Sequence, residues 1–290
     1  MSNIFAMVTM NSSRLYTGYA LKSFFQNTEL KNDDEFFLIN NDDCEINHSF
    51  LDKNIKVIKN KLPLSFAENV NLIIDKSMKE KKNLIFLNND IIFTKNWILP
   101  LQENSKNISL PVNNQLFPYQ SDCGNLKLKV TMNLNDFNEQ YLLLDNIVEK
   151  HKKKFNKKQK AQALLMPFFC FKIPYKILNE IGYFDTSFVC GAEDVDYRIR
   201  CAKKGFEVNF LLDSYLLHFH GKSTWDGGET NIQTQKRNKL YTDEFLKKWG
   251  EDMTKIFILR RDFSEILYKR GLNNIFKEGK FGELIRKLIK

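Results

Sequence analysis

The sequence predicts an α/β fold, in which a mostly parallel central sheet is flanked by helices and followed by a C-terminal helical extension. Two observations support this prediction. Short apolar runs alternate with segments of helical periodicity over the first hundred residues, and only helical patterns follow Thr230. Such alternation is typical of parallel sheets that helices cover on both faces. We expect a main domain over residues 1–225 and the extension over residues 226–290.

The apolar runs place the predicted elements along the chain. Strands are expected at residues 4–10, 35–39, 55–58 and 84–87, because each run is short and Asn soon follows it. Residues 101–160 lack a clear period and are rich in Asn, Gln and Lys, which predicts either a variable segment that faces a substrate or loosely organised surface structure. The other predicted elements are helices at 15–25, 66–78, 175–181 and 193–204, an apolar run at 164–173, and strands at 206–212 and 215–220 separated by Asp213 and Ser214.

Composition narrows the class of protein. Hydrophobic residues make up 43% of the 290 positions and aromatic residues 13%, which excludes a mainly disordered chain. The five cysteines are widely spaced and contain no CxxC pair, so neither a disulfide framework nor a zinc site is predicted. No basic segment precedes a long apolar stretch at the N-terminus, and no run of about 18 apolar residues occurs. We therefore expect a cytoplasmic protein without an export signal.

The formal charge of +9 is compatible with nucleic acid, an anionic membrane face or phosphate-bearing substrates. Lysines are concentrated at residues 150–160, and basic residues outnumber acidic ones again at residues 270–290. The sequence has no zinc-finger spacing and no RNA-binding aromatic signature. Nucleic acid is therefore not the expected partner.

Asn88, Asn89 and Asp90 follow directly after the apolar run at residues 84–87. A carboxylate at the end of a buried strand lies where open α/β sheets bind their ligands. Asp90 is a natural ligand for Mn²⁺ or Mg²⁺, and in an extended chain Asn88 points to the same side. The pattern leaves one alternative open, a turn that only ends the strand, since Asn and Asp favour turns.

Two of the four histidines, His218 and His220, lie just before a polar loop. If the strand continues through both, their imidazoles share one face, and one of them is a candidate metal ligand. In the loop, Lys222, Ser223 and Thr224 are candidate hydrogen-bond donors to diphosphate oxygens. The alternative is a pair of histidines that only pack within the structure.

Glu193, Asp194 and Asp196 open a predicted helix directly after Gly191 and Ala192. Acidic residues in a first turn stabilise a helix through its dipole, and this is the alternative without a function. Gly191, however, permits a close approach, and the three acids stand where the rim of a pocket is expected. We predict that Asp194 is a general base of low pKa for an acceptor hydroxyl, and that Glu193 positions the acceptor.

Four segments resemble those of a known enzyme family. Asn83–Trp97 is similar to a segment in which Leu-Asn-x-Asp replaces a DxD motif. Phe169–Arg200 is similar to the GxFDxxF and EDxDxxxR segments, Tyr215–Thr224 to a closing His and GxS loop, and Asn238–Gly250 to a KWG tail. The family is the inverting glycosyltransferases of family 2, and the chain most resembles its rhamnosyltransferase-like bacterial type.

The resemblance, which covers about residues 4–100 and 164–250, implies the GT-A fold with a donor side over residues 1–100 and an acceptor side over 101–225. It implies a nucleotide-diphosphate sugar as donor and a divalent metal, Mn²⁺ or Mg²⁺. It further implies Asp194 as catalytic base, with Glu193 beside it. The predicted metal-site residues are Asp90, His218 and Asn88, and the predicted contacts of the donor are Thr9, Asn11, Asn40, Asn71, Asn89, Lys222 and Ser223.

We therefore expect a metal-dependent inverting glycosyltransferase that acts on a glycan or a lipid-linked acceptor in surface polysaccharide assembly. Two departures from the family pattern favour an alternative, a non-catalytic scaffold that binds nucleotide or glycan. Asn40 stands where many members have an acidic residue, and Asn88 replaces the first acid of DxD. Nucleotidyl transfer is not expected, because Asn11–Arg14 is not a phosphate-binding loop rich in Gly and Arg.

The last residues of the chain form an amphipathic pattern. Apolar residues recur at helical spacing among basic ones, which suits peripheral contact with an anionic bilayer. The alternative is a helix that packs on its own domain or on a partner subunit. The apolar positions are Phe281, Leu284, Ile285, Leu288 and Ile289.

Overall fold

A computed structural model describes residues 2–42, 54–114, 134–153, 159–189, 191–222 and 230–290, and side chains are described for all of these except residues 134–142. Its α/β architecture confirms the predicted fold class. The strands are β1 (Asn3–Thr9), β2 (Glu35–Asn40), β3 (Ile55–Lys59), β4 (Asn83–Leu87), β5 (Ile91–Phe93), β6 (Ile108–Val112), β7 (Lys160–Gln162), β8 (Cys170–Ile173) and β9 (Val208–His218). The helices are α1 (Arg14–Asn27), α2 (Phe66–Glu80), α3 (Leu99–Glu103), α4 (Leu134–Lys152), α5 (Tyr175–Ile181), α6 (Glu193–Lys203), α7 (Asn231–Trp249), α8 (Glu251–Phe257), α9 (Phe263–Lys269), α10 (Asn273–Lys277) and α11 (Phe281–Leu288).

The strands form one sheet in the order β3-β2-β1-β4-β8-β6-β9-β5, with β7 also paired to β9. Strands β3, β2, β1 and β4 are mutually parallel, as the sequence predicts. Beyond β4 the sheet is mixed, because β8 runs antiparallel to β4 and β6, and β5 and β7 run antiparallel to β9. Antiparallel neighbours need no crossover helix, so a periodicity argument built on alternating strands and helices does not detect them.

Helices cover both faces of the parallel half because β1 alternates its side chains. Ile4 and Ala6 lie in the buried cluster that contains the apolar face of α2. Phe5 and Met7 lie in the opposite cluster, with α1 and its Phe24. Successive side chains of a strand point to opposite faces, so a short apolar run such as β1 is buried on both sides, and its polar continuation emerges at the sheet edge.

The prediction of a loosely organised segment at residues 101–160 is wrong. This stretch supplies β6, which pairs in the middle of the sheet between β8 and β9, and the 19-residue helix α4. Strand β6 is five residues long and contains Pro111, which usually excludes a central strand. Here the register with β9 shifts between Pro111 and Val112, and that irregularity accommodates the missing N–H of proline.

Strand β9 is continuous where the sequence predicts two strands. Asp213 and Ser214 do not break it, because they fall within the same register shift: Pro111 pairs with Leu211 and Val112 with Tyr215. The buried Ser214 hydroxyl donates to the Trp97 carbonyl at 2.6 Å, so this polar group is satisfied within the protein. The strand thereby delivers His218 to the edge where β4 ends.

The helices after Thr230 pack on α6. The buried cluster that holds them includes Ala192, Val195 and Ile199 of the α6 region together with Phe245 of α7. The apolar face of α11 is buried in this cluster, with Leu284 and the residues around it inaccessible to solvent. Of the two alternatives for the C-terminal amphipathic pattern, the structure shows packing on the chain's own domain. We call residues 230–290 the C-terminal layer.

Among the described residues, no helix is both long enough and apolar enough to cross a bilayer.

Candidate active site

Asp90 and His218 meet because two strand ends lie side by side. Asp90 follows β4, and the antiparallel pairing of β5 with β9 sets Ile91 opposite His218. The main chain locks this arrangement, since the Phe219 N–H donates to the Asp90 carbonyl at 2.9 Å. The sequence prediction that these two residues converge is therefore met by the fold. We call Asp90 and His218 the metal pair.

The facing atoms of Asp90 and His218, which the sequence predicts to be metal ligands, are buried side by side. Asp90 Oδ1 and His218 Nε2 are 3.2 Å apart and buried, yet neither has an aligned hydrogen-bond partner among the described residues. Asp90 Oδ2 accepts from the Lys222 N–H at 3.2 Å. Burial raises the pKa of Asp90, but His218 and the Lys222 N–H outweigh it, so the pKa lies below its ordinary value. A carboxylate oxygen and an imidazole nitrogen are suitable ligands for Mn²⁺.

His220 lies beside this pair in a conformation that differs from the prediction. The strand ends at His218, and His220 has a left-handed backbone with φ 61°. Its ring still lies 5.5 Å from the His218 ring, and burial and His218 lower its pKa. Asn88 is half-buried, and its N–H donates to the Phe169 carbonyl at 2.8 Å.

A buried network of polar side chains lies at the end of β1, next to the metal pair. Asn89 donates from Nδ2 to the hydroxyls of Ser13 and Thr17, at 2.6 and 2.9 Å. The Thr17 hydroxyl in turn lies 2.8 Å from that of Thr9. Thr9 and Asn89 are almost fully buried, so these contacts fix the turn after β1. The predicted donor contacts Thr9 and Asn89 thus have protein partners of their own.

Asp42 is a residue that the sequence argument missed. Its Oδ2 accepts from the Asn11 N–H at 2.8 Å, while its buried Oδ1 has no hydrogen-bond partner among the described residues. Asn40, the predicted contact, is fully buried at the end of β2. Asp42 stands only two residues after Asn40, in the polar stretch that follows β2. The sequence did not show which of the two side chains is bonded to the turn after β1.

Asn71 has a structural role in this arrangement. Its side chain makes two bonds to the Phe184 main chain: Oδ1 accepts from the N–H at 2.8 Å and Nδ2 donates to the carbonyl at 2.9 Å. These bonds tie α2 to the loop after α5. Ser223 and Thr224 lie outside the described residues, and so does Cys190.

Glu193 and Asp194 stand at the start of α6, and we call them the acid pair. The Asp194 carboxylate is half-buried and accepts from the Val195 N–H at 2.7 Å. Burial raises the pKa of Asp194 to about 6, against the Val195 N–H and the charge of Arg260, which lower it. The predicted low pKa is therefore wrong, because the sequence did not show how deeply α6 starts inside the protein.

Glu193 is more enclosed and shares its charge with its neighbour. One carboxylate oxygen accepts from the Gly191 N–H at 2.6 Å. Burial, and then the negative charge of Asp194, raise the pKa of Glu193 to about 7, while Arg237 opposes the shift. Two adjacent carboxyl groups with raised pKa values can hold and release a proton near neutral pH, which is what general acid–base chemistry requires.

The C-terminal layer completes the surroundings of the acid pair. A Cβ on Gly191 would lie 2.5 Å from the Tyr241 ring of α7, so only glycine fits there. Ala192, the next residue, has φ 71°, a conformation that is strained for alanine. Backbone strain of this kind persists only where the surrounding structure enforces it. Tyr241, Arg237 and Arg260 were not predicted, since nothing in their local sequence marks them.

Asp196 anchors the same helix to α7. It is fully buried and accepts bonds from Arg200 Nε at 2.8 Å and from Trp249 Nε1 at 3.0 Å. Lys248 lies 2.7 Å from the same carboxylate and bridges to Asp185. The third acid of the motif is therefore structural. It binds Lys248 and Trp249 of the Lys-Trp-Gly tail, at the end of α7.

Residues 164–169 connect the acid pair with the metal pair. The Phe169 ring stacks on His218 with 5.3 Å between ring centroids. Leu164 lies in the same buried cluster as Ala192 and Val195. Within the described part of the chain, no three His, Cys, Asp or Glu side chains cluster as a metal site.

Comparisons with known proteins identify the fold. No family model matches the sequence, and a search of curated proteins finds no match. Among solved structures, GalNAc-T7 with UDP, GalNAc and Mn²⁺ is similar with a TM-score of 0.58 at 15% identity, over 98% of this chain and 55% of that one. S. aureus TarS is similar with a TM-score of 0.52 at 16% identity, over 91% of this chain and 44% of that one.

A shorter form, S. aureus TarS 1-349 in complex with UDP-GlcNAc, matches with a TM-score of 0.54 at 14% identity, over 100% of this chain and 82% of that one. The chain thus spans about half the length of the first two proteins. At these identities the likeness concerns the fold alone. The chain has the GT-A fold of nucleotide-sugar glycosyltransferases.

Proposed function

We propose that this chain is an inverting glycosyltransferase of family 2 that moves a sugar from a nucleotide-diphosphate donor to an acceptor hydroxyl. The observation that carries the proposal is the metal pair. Two buried ligand atoms without aligned partners lie at the strand ends of a GT-A fold, 3.2 Å apart. Apart from each other, these two buried atoms have no hydrogen-bond partner among the described residues.

The metal pair suits a divalent cation bound together with the diphosphate of the donor. Asp90 and His218 would hold the ion, with diphosphate oxygens and water as its other ligands and Asn88 near it. Bound there, Mn²⁺ or Mg²⁺ would supply charge stabilisation to the departing diphosphate. The Lys222 N–H, which reaches Asp90 Oδ2, keeps that carboxylate ionised, and Lys222 and Ser223 belong to the loop that we assign to the diphosphate.

The acid pair supplies the base. Asp194 takes the proton of the acceptor hydroxyl as its oxygen bonds to the anomeric carbon, and the bond to the diphosphate breaks on the opposite face of the sugar. A pKa of about 6 leaves Asp194 ionised at neutral pH yet basic enough to accept a proton. Glu193, with a pKa of about 7, orients the acceptor and shares that proton.

The nucleotide is assigned to the end of β1. Thr9 and Asn11 border this region, and Asp42 presents a buried carboxylate oxygen beside the Asn11 main chain. A carboxylate there is suited to a ribose hydroxyl or a base N–H. Asp42 would then supply the acidic group that is missing at Asn40, which removes one of the two sequence departures that favoured a non-catalytic scaffold.

We assign a glycan or a lipid-linked molecule as acceptor, in the assembly of a surface polysaccharide on the cytoplasmic side of a membrane. Membrane contact through the apolar face of α11 is not part of the proposal, because that face is buried against α6.

Thermal shift and donor hydrolysis with UDP-, dTDP- and GDP-sugars, each with and without Mn²⁺, test the proposal. We expect one nucleotide to raise the melting temperature only when Mn²⁺ is present, since a ligand at 100 times its Kd adds about 2.7 kcal/mol of stability. Hydrolysis of the same donor should need the metal. Binding without any turnover, with every acceptor class, would instead favour the scaffold.

A further inference from the structure

The C-terminal layer is one of two strongly basic parts of the chain, the other being residues 150–160. Residues 231–290 contain fifteen Lys and Arg against eight Asp and Glu, a balance of +7, whereas the whole chain has +9. The layer is also the part that closes over the acid pair. The layer therefore attracts an anionic partner to the side of the molecule on which it covers the acid pair.

Helix α7 has two distinct faces within this layer. Its inner face carries Arg237, Tyr241 and Phe245, of which Tyr241 contacts Gly191 and Phe245 packs 6.2 Å from the Phe188 ring. The outer face is the arc that includes Ile232, Lys236, Lys239, Leu240, Asp243, Leu246 and Lys247, and all seven residues are exposed. At 100° per residue these positions fall within about one third of the helix circumference.

The outer face combines aliphatic and basic side chains. Ile232, Leu240 and Leu246 are 77%, 55% and 44% exposed, so the fold leaves a row of three large aliphatic groups in solvent along 19 residues of helix. Lysines 236, 239 and 247 lie between them, against the single acidic Asp243. Exposed aliphatic and basic side chains on one arc of a helix are the combination that suits contact with an anionic bilayer surface.

We propose that the outer face of α7 docks on an anionic lipid bilayer. Its aliphatic groups can enter the boundary between headgroups and acyl chains, while its lysines remain level with the lipid phosphates. A second copy of this chain is a poor occupant, since two such faces would bring lysines together. The inner face of the same helix would hold the acid pair roughly one helix diameter, about 10 Å, from the headgroups.

This position would suit an acceptor that is anchored in the membrane. The role of a membrane-anchored acceptor rests on the proposed function, because the acceptor is part of that proposal. The docking itself does not, and it can be measured with the protein alone. The sequence suggested a membrane contact through α11, but the apolar face of that helix is buried. The proposal assigns the contact to α7 instead.

Co-sedimentation of the full chain with vesicles tests the proposal. We expect binding to vesicles of phosphatidylcholine mixed with phosphatidylglycerol, and none to phosphatidylcholine alone. Replacing Ile232, Leu240 and Leu246 by Ser should lower the partition coefficient at least tenfold. Replacing Lys236 and Lys239 by Gln should lower it roughly fivefold for each lysine at low salt, and added salt should weaken binding of the unmodified chain.

Matched controls are available outside the C-terminal layer. Leu15, Leu62 and Leu99 are 57%, 75% and 48% exposed, so their triple replacement by Ser removes similar apolar surface elsewhere. Lys79→Gln with Lys106→Gln makes the same change in charge at two other exposed positions. Both controls should bind vesicles like the unmodified chain, and melting temperatures should show that every variant is folded.

Three results would overturn the proposal: no binding to anionic vesicles, an equal loss in the control triple, or full binding by the α7 aliphatic triple. If soluble polyphosphate bound as tightly as the vesicles and the aliphatic triple kept that binding, the face would be a site for anionic polymer and not for lipid. Donor binding measured on the same variants separates these outcomes from a failure of the proposed function, because it requires no vesicle.

Discussion

The metal pair and the acid pair acquire their geometry in different ways. Asp90 and His218 sit at strand ends, and the pairing of β5 with β9 fixes them through main-chain bonds. The acid pair begins a helix, follows a strained Ala192, and depends on Tyr241 from a helix fifty residues later. The metal pair is a product of the sheet, whereas the acid pair is held by the packing of the C-terminal layer. The two regions can therefore be perturbed separately.

The largest expected effect is that of Asp90→Asn. We predict a loss of about three orders of magnitude in kcat/KM, because the ligand that stabilises the leaving diphosphate is removed. The stabilisation of the protein by nucleotide with Mn²⁺ should disappear in thermal shift. Asp213→Asn, an exposed change within β9, is the control and should leave both measurements unchanged. If the Asp90→Asn variant kept its Mn²⁺-dependent stabilisation by nucleotide, Asp90 would not be a metal ligand.

Asp194→Asn should separate the two regions. We predict a decrease in kcat of about 10²- to 10⁴-fold, the usual contribution of a general base. Nucleotide affinity, measured by thermal shift, should not change. In the unmodified protein, kcat/KM should rise with pH up to about 6, where Asp194 ionises, and the Asn variant should lose this limb. If nucleotide affinity falls together with turnover, the acid pair is not independent of the donor side.

Gly191→Ala tests the dependence of the acid pair on α7. The new Cβ would lie 2.5 Å from the Tyr241 ring, and overpacking of this kind costs about 1–3 kcal/mol in the free energy of unfolding. We expect lower kcat with donor binding intact, and partial recovery in the double variant with Tyr241→Ala. Gly282→Ala is the control, because its Cβ would meet only Arg286 at an ordinary 3.5 Å. Equal effects at both glycines would contradict the contact.

The smallest expected effect concerns pH and stability. The folded-state pKa of Glu193, about 7, lies above its unfolded value of 4.5, so the folded protein binds more protons between these pH values and its stability falls as pH rises through that window. The full loss is at most about 3 kcal/mol above pH 7. Glu193→Gln should match the unmodified protein in melting temperature at pH 4.5 and exceed it at pH 8. A constant difference across this range would show that Glu193 is not buried in its ionised form.

The sequence located most of the elements near the metal pair. Local signals sufficed there, because an apolar run followed by Asn or Asp marks both a strand and its end. The same signals failed at β6, where proline and a short apolar run concealed a central strand, and at Asp213, where a polar pair inside β9 resembled a turn. Both errors have one cause. The register shift lies between β6 and β9, and a pattern within one of these segments does not show how it pairs with the other.

Residue types in order along the chain were enough to determine the α/β class and to select Asp90, His218 and Asp194 as candidates. Only the tertiary structure decided which of them meet and that one oxygen of Asp42 has no hydrogen-bond partner among the described residues. It also decided that Asp194 has a raised pKa, and that the apolar face of α11 is covered while the outer face of α7 is exposed. The physical reason is that burial, proximity and the pairing of polar atoms depend on the packing of distant segments, whereas strand and helix formation depends largely on neighbours in the chain.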